Sequence, residues 1–204
     1  MEFDYKLWEP MLPSQIARLF STFHAPWCIA GGWGLDLYLG RQMREHGDID
    51  LVILRRDQLL LQELLADFEI FVVDPPGALR SWMPNEYLHK PLYNIWVRRT
   101  PSGPWKIQVM LQDHTTSEWL FRRDDSIRGA LEGLTMISSD GIPILRPEIQ
   151  LLYKAKEIRE RDRNDFEWVL PHLSSVQRHW LRGKIEQAYG LENPWLLRLA
   201  EKPA

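Results

Sequence analysis

Apolar positions along the chain fall into short segments with distinct periods, separated by polar breaks. Leu12, Ile16, Leu19, Phe20 and Phe23 recur at helical spacing, with Ser14 placed as an N-cap. Trp27-Cys28-Ile29-Ala30 predicts a short buried strand, broken by Gly31-Gly32, and residues 35–39 predict a short helix stopped at Gly40. A polar loop over 41–47 follows. Asp48-Ile49-Asp50-Leu51-Val52-Ile53 then alternates polar and apolar positions, as a half-buried strand does. Asp57 stands where it would cap a helix carrying Leu60, Leu61, Leu64 and Leu65. Residues 69–73 predict a further strand, closed by Asp74-Pro75-Pro76-Gly77.

Strands are also predicted at 93–98 and 106–111, a hairpin whose loop contains Pro101-Ser102-Gly103-Pro104. A second hairpin is expected from 134–137 and 142–145, turning through Ser139-Asp140-Gly141. Helical character then takes over. Pro147 opens a segment with Ile149, Leu151, Leu152, Ala155 and Ile158 on one side. Ser174 and Gln177 form a capping-box pattern ahead of Trp180, Leu181 and Ile185, and Gly190 would end that helix. The expected layout is a mixed α/β part over residues 1–115 and a mostly helical part over 116–204, with no Gly/Ser-rich linker marking the boundary.

Composition narrows the functional classes. The chain has 204 residues, room for one large domain or two small lobes, and 45% hydrophobic residues suffice for a core. A net charge of −3 lacks the basic excess of a dedicated nucleic-acid binder. The one cysteine, Cys28, cannot form an internal disulfide, which fits a reducing, cytoplasmic setting. No apolar run approaches the ~20 residues of a membrane span, and the first ten residues are acidic and aromatic, unlike a signal peptide. Ten tryptophans point to aromatic core packing. No His/Cys cluster has zinc spacing.

The candidate chemistry sits between Gly31 and Asp50. Asp48 and Asp50, two apart on a strand, share one face. Like charges side by side repel and are costly without a cation between them. Mg²⁺ prefers oxygen ligands and binds through one or two carboxylates plus substrate phosphates. The glycine turn and the helix start beside it add backbone N–H groups that suit phosphate. Arg41 and Arg44 are either phosphate ligands or parts of a solvated loop. His46 either orients Asp48 and touches a nucleotide, or is structural. Asp162 and Asp165 are read as partners of Arg159 or Arg161, with binding of a cationic acceptor as the other reading.

The run Gly31-Gly32-Trp33-Gly34-x-Asp36, Gly40-Arg41-x-x-Arg44-x-His46, Asp48-Ile49-Asp50-Leu51 resembles the aminoglycoside nucleotidyltransferase branch of the DNA polymerase beta-like nucleotidyltransferases. Later blocks extend the likeness from about residue 12 to 199: Asp74-Pro75-Pro76-Gly77-x-Leu79-Arg80, Trp119-x-Phe121-Arg122-Arg123-Asp124, Pro147-Glu148-x-x-Leu151-Leu152-x-Lys154-Ala155-Lys156, then Arg159, Asp162, Asp165-Phe166 and Pro194-Trp195. The resemblance implies an α+β fold, a nucleotidyltransferase-like mixed sheet flanked by helices and followed by a mostly helical C-terminal part. It implies a nucleoside triphosphate, Mg²⁺ held by Asp48 and Asp50 (two ions with nucleotide bound), and a small hydroxylated acceptor, aminoglycosides among them. Gly31 and Gly32 would cradle the triphosphate. Lys154 or Lys156 would reach it too, the other reading being helical pairing such as Lys156 with Glu160.

One position departs from that pattern. A third carboxylate is expected on a neighbouring strand, and Gln108 stands there. An amide is no base and a poor metal ligand. Asp113 is the nearest acid and the replacement catalytic candidate, although its odd spacing from Gln108 turns it to the other face. The sequence thus leaves three readings: a nucleotidyltransferase, a nucleotide- or ligand-binding protein on the same fold, and a toxin–antitoxin component, for which the acidic balance gives no support.

Overall fold

The computed structural model describes residues 3–200. In chain order they form α1 (Pro13–Leu19), β1 (Trp27–Ile29), α2 (Gly31–Leu39), β2 (Asp50–Leu54), α3 (Gln58–Leu64), β3 (Glu69–Val73), β4 (Leu79–Ser81), β5 (Asn94–Arg98) and β6 (Trp105–Gln112). There follow β7 (Glu118–Leu120), β8 (Arg128–Ala130), β9 (Thr135–Ile137), β10 (Pro143–Leu145), α4 (Pro147–Lys154), α5 (Glu160–Val169), α6 (Ser175–Tyr189) and α7 (Trp195–Ala200). Eight strands make one sheet in the order β4-β3-β5-β6-β2-β1-β10-β9, and β7 pairs with β8 apart from it. Pairing is parallel at β2–β6 and β1–β10 and antiparallel elsewhere in the sheet. The α+β class expected from the sequence is the observed one. Strands β9 and β10 lie beyond residue 115 and complete the same sheet. Among the described residues no helix is long and apolar enough to cross a membrane.

Alternation along β2 decides where the chemistry faces. Leu51 and Ile53 pack into a core with Ile16, Phe20, Leu61 and Leu65, the α1 and α3 side. Val52 and Leu54 pack into a second core with Ile149, Leu152, Phe166 and Ile185, the side of the C-terminal helices. A strand period of two places Asp50 on the face of Val52 and Leu54, so the candidate site opens between the sheet and α4–α5. Several tryptophans seal the periphery: Trp8, Trp96 and Trp105 interlock edge-on at the sheet, and Trp195 stacks on Phe166 at 4.2 Å.

Local chemistry shifts several expected boundaries. Pro13, not a capped Ser14, opens α1; proline has no N–H to leave unpaired, and the Gln15 side chain accepts the Leu12 N–H at 2.8 Å. The glycine pair does more than break β1, because α2 starts at Gly31 itself. Strand β2 begins at Asp50, so Asp48 belongs to the preceding loop. Asp57 occupies the N-cap position of α3 without a side-chain cap bond. Helix α4 stops at Lys154, leaving Ala155 and Ile158 outside it. Three-residue strands β4, β7 and β8 are too short for alternation to reveal. Both hairpins form as expected, with Gly141 at φ 76° in the second turn. Asn94 aligns with Met110, whereas the simplest pairing places it opposite Gln108, whose β5 partner is Trp96.

The capping box on α6 is present as read. Gln177 N–H donates to Ser174 Oγ at 3.2 Å, Ser174 N–H donates to Gln177 Oε1 at 3.0 Å, and the helix ends at Gly190. Ser174→Ala should therefore lower stability by about 1 kcal/mol, read as a lower urea midpoint at unchanged m-value.

Candidate functional site

The first turn of α2 lies directly against the aspartate strand. A Cβ on Gly31 would run into the Asp50 carboxylate, and one on Gly32 would run into the Arg44 guanidinium and the His46 ring. Gly31 also sits at φ 65°, a conformation that side chains other than glycine's rarely adopt. Its N–H donates to Gln150 Oε1 on α4 at 2.7 Å, which ties the glycine turn to the helical part. Gln108 is in register with Asp50 on the adjacent parallel strand and therefore shares its face.

Asp50 is half-buried and held near Asp48. Burial, then the neighbouring Asp48 charge, pushes its carboxyl up to about 7, while Lys154, Arg161 and Arg159 pull the other way. Across from the pair runs a chain of charges with a buried centre, Asp165, Lys154 and Asp162. Arg44 donates from Nε and Nη2 to the two carboxylate oxygens of Asp165 at 2.9 and 3.1 Å. Lys154 Nζ reaches Asp165 at 2.8 Å and Asp162 at 2.9 Å, and Arg159 Nε donates to Asp162 at 2.7 Å. Burial alone would raise both acids. Hydrogen bonds from Arg159 and Lys154 to Asp162, and from Arg44 and Lys154 to Asp165, overcome it and hold both below the usual carboxylate range.

The structure brings Gly31, Gly32, Arg44, Asp48, Asp50, Lys154 and Lys156 to one cleft of about 420 Å³. Three other residues singled out from the sequence lie off it. Arg41 is exposed and outside the lining of the cleft. His46 lies beneath the glycine turn, its Nε2 at 2.6 Å from Asp36 and its ring 4.5 Å from that of Trp33, so it braces the 41–47 loop. Asp113 follows the end of β6 and is bound by Arg55 at 2.6 Å and Lys90 at 3.3 Å. Lys156 pairs with Glu157 at 3.3 Å rather than with Glu160, because α4 ends before it. Asp162 does meet Arg159 as read, but Asp165 meets Arg44, from the other half of the chain. Tyr93, Gln150, Tyr153 and Arg161 line the cleft without having been singled out for it. Gln150 carries no sequence signal of its role; it is one of several polar residues of α4.

The family model of aminoglycoside-2''-adenylyltransferases matches residues 14–169. The chain belongs to that family. Its members are nucleotidyltransferase enzymes. Two solved structures share the fold of this adenylyltransferase-family chain. The crystal structure of ANT(2'')-Ia in complex with adenylyl-2''-tobramycin aligns at TM-score 0.57 and 15% identity over 86% of this chain and 95% of that one. The lincosamide antibiotic adenylyltransferase LnuA, lincomycin-bound, aligns at TM-score 0.52 and 21% identity over 76% of this chain and 91% of that one. No curated protein matches.

The raised Asp50 carboxyl has a consequence for stability. The unfolded chain titrates an aspartate near ~3.9, the folded protein near 7. Between these values the folded state binds the extra proton, so stability of the metal-free protein falls as pH rises through that window. Asp50→Asn removes this titration. Its gain in urea midpoint over the parent should be small at pH 4 and largest at pH 8; a gain of the same size at both values would reject the assigned cause.

Proposed function

We propose that this chain transfers a nucleoside monophosphate from a nucleoside triphosphate to a hydroxyl of a small acceptor, with Mg²⁺ held by Asp48 and Asp50. The observation that carries the reading is the approach of the Gly31 backbone to Asp50, closer than any side chain at position 31 would permit. The donor set suits the ion. Two adjacent carboxylates, one with its proton affinity raised by burial and then by the charge of the other, ask for a cation. Among the described residues no group of three or more metal-ligating side chains exists, and Mg²⁺ is the hard cation that uses one or two carboxylates and takes its remaining oxygens from phosphate and water. When bound, it would polarise phosphate oxygens as a Lewis acid.

The chain's own residues position the reactants. The Gly31 N–H is engaged by Gln150, and the next N–H groups of the α2 first turn have no intrahelical acceptor and suit phosphate. Lys154 is fixed by Asp162 and Asp165 and bears on Asp50 electrostatically, so its charge is held at the phosphate end without a mobile side chain. Arg159 and Arg161 line the same end. In the reaction the acceptor oxygen bonds to the α-phosphorus, the bond to pyrophosphate breaks, and the hydroxyl proton must leave. Gln108, beside Asp50, can orient the hydroxyl by hydrogen bonding but cannot take its proton at neutral pH.

Two measurements test this. Calorimetry of ATP with Mg²⁺ should show Asp50→Asn losing more than the ~10–100-fold in affinity that loss of an outer-shell group costs; unchanged binding rejects the metal site. Pyrophosphate release from the native protein should be slow, and Gln108→Asp should raise it within the ~10²–10⁴-fold range of general-base catalysis. A brisk native enzyme slowed by Gln108→Asp would show that the base lies elsewhere, whereas nucleotide binding with no release would leave a nucleotide-binding protein on this fold.

A further inference from the structure

We propose that the acceptor is a hydroxylated molecule with an apolar body and at most one cationic group, and that Arg122 excludes polyamines from the cleft. The inference rests on the nucleotidyl-transfer reading and narrows its acceptor. The chain as a whole has a net charge of −3, yet the cleft reverses that balance: seven basic side chains line it against four carboxylates. Each carboxylate already has a role or a partner. Asp48 and Asp50 form the metal pair. Asp162 is bound by Lys154 and Arg159 at 2.9 and 2.7 Å. Glu157, at the exposed mouth, pairs with Lys156 at 3.3 Å. None remains to receive the ammonium groups of a polyamine.

The basic side chains differ in the same way. Arg44, Lys154 and Arg159 are each paired with a buried carboxylate, Asp165 or Asp162. Arg122, Arg123 and Arg161 form no ion pair with any carboxylate among the described residues. Arg122 lies over the Tyr93 ring, its guanidinium carbon 4.6 Å from the centroid. Arg123 donates from Nη1 to the Tyr153 carbonyl at 2.7 Å and to Tyr189 Oη at 2.6 Å. Neutral partners fix these guanidinium groups without cancelling their charge. The adjacent Asp124 turns to Ser126, whose Oγ donates to it at 2.5 Å, and is not part of the lining.

Between the arginines and the aspartates the cleft is apolar or amide. Val52, Met110 and Leu145 form its floor, Asn94 and Gln108 add uncharged polar groups, and Tyr93 and Tyr153 add rings. A polycation entering here would lose hydration without gaining a free counter-charge, and would face three guanidinium groups with no ion-pair partner among the described residues. A molecule with an apolar face and hydroxyls meets neither cost. An anionic group on it would gain from Arg122.

The test compares tobramycin, a polyamine, with lincomycin, which has a single amine, as acceptors for pyrophosphate release with Mg²⁺ and ATP. Equilibrium binding of each to protein loaded with a non-hydrolysable ATP analogue gives the same comparison without turnover. Lincomycin should be favoured by at least ~10-fold, the scale on which charge complementarity discriminates between partners. In a second arm Arg122→Glu, a change at an exposed side chain, should tighten tobramycin binding by at least ~10-fold, with a gain that shrinks at high salt, while affinity for the ATP analogue changes less than about two-fold, well below the ~10-fold scale of a charge-pair effect. Native protein that takes tobramycin as well as lincomycin overturns the proposal, as does an Arg122→Glu variant indifferent to tobramycin. If neither acceptor binds the native protein, the charge-reversal arm alone decides. Failure of the native protein to bind the ATP analogue at all would reject the nucleotidyl-transfer reading instead, so the two failures are distinct.

Discussion

The cleft depends on one run of alternating charges, Arg44–Asp165–Lys154–Asp162–Arg159, whose two acids and central lysine are buried. Taking ions out of water is costly, and such groups persist in a fold only when each has good partners. Here every member touches an opposite charge at 2.7 to 2.9 Å. Because Arg44 comes from the loop before β2 and the acids come from α5, the run joins the sheet to the helices across the site. Its value is less in net stability than in fixing one arrangement: a buried acid with two cationic partners has few alternative positions. Lys154 is thereby set in the cleft that Asp50 also lines, and α4, which carries it, also brings Gln150 to Gly31.

Around that frame the site follows from sterics. Two glycines at the start of α2 permit backbone to sit against Asp50, Arg44 and His46, where any Cβ would collide. The parallel pairing of β2 with β6 then aligns Gln108 with Asp50. The family is recognisable in the glycines and the aspartates, while the amide at 108 stands where that pattern leads one to expect a carboxylate.

Much of this was legible in the sequence, for identifiable reasons. Periodicity located the long strands and helices, and the 31–51 run located the glycine turn and the aspartates, because these signals are local. The helix caps were read unevenly. Ser174 with Gln177 announced itself, whereas α1 opens at Pro13 and leaves the cap position to Leu12, two residues before Ser14. What sequence could not supply was partnership between distant segments. Asp165 was assigned to arginines a few residues away, yet its carboxylate is taken by Arg44. Asp113 was weighed as a missing acid, yet Arg55 and Lys90 hold it. Gln150 gave no hint at all. Each of these depends on which surfaces the helices cover, and no spacing rule within one segment encodes that.

The place of β10 in the sheet also constrains how the protein is made. Strand β1 lies between β2 and β10, and its parallel partner, Ile144, is separated from Ile29 by most of the mixed part of the chain. Contacts that distant are slow to form, because chain closure must precede any reward from pairing. Emerging from a ribosome, the glycine turn and both aspartates are synthesised long before Ile144, Gln150 and Lys154 exist to hold them. The like-charged pair and the flank of β1 stay uncovered during that interval, exposed to wrong pairing with other chains. The active geometry is therefore a late event in the life of the nascent polypeptide, gated by synthesis of α4 and α5 rather than by the segment that bears the motif.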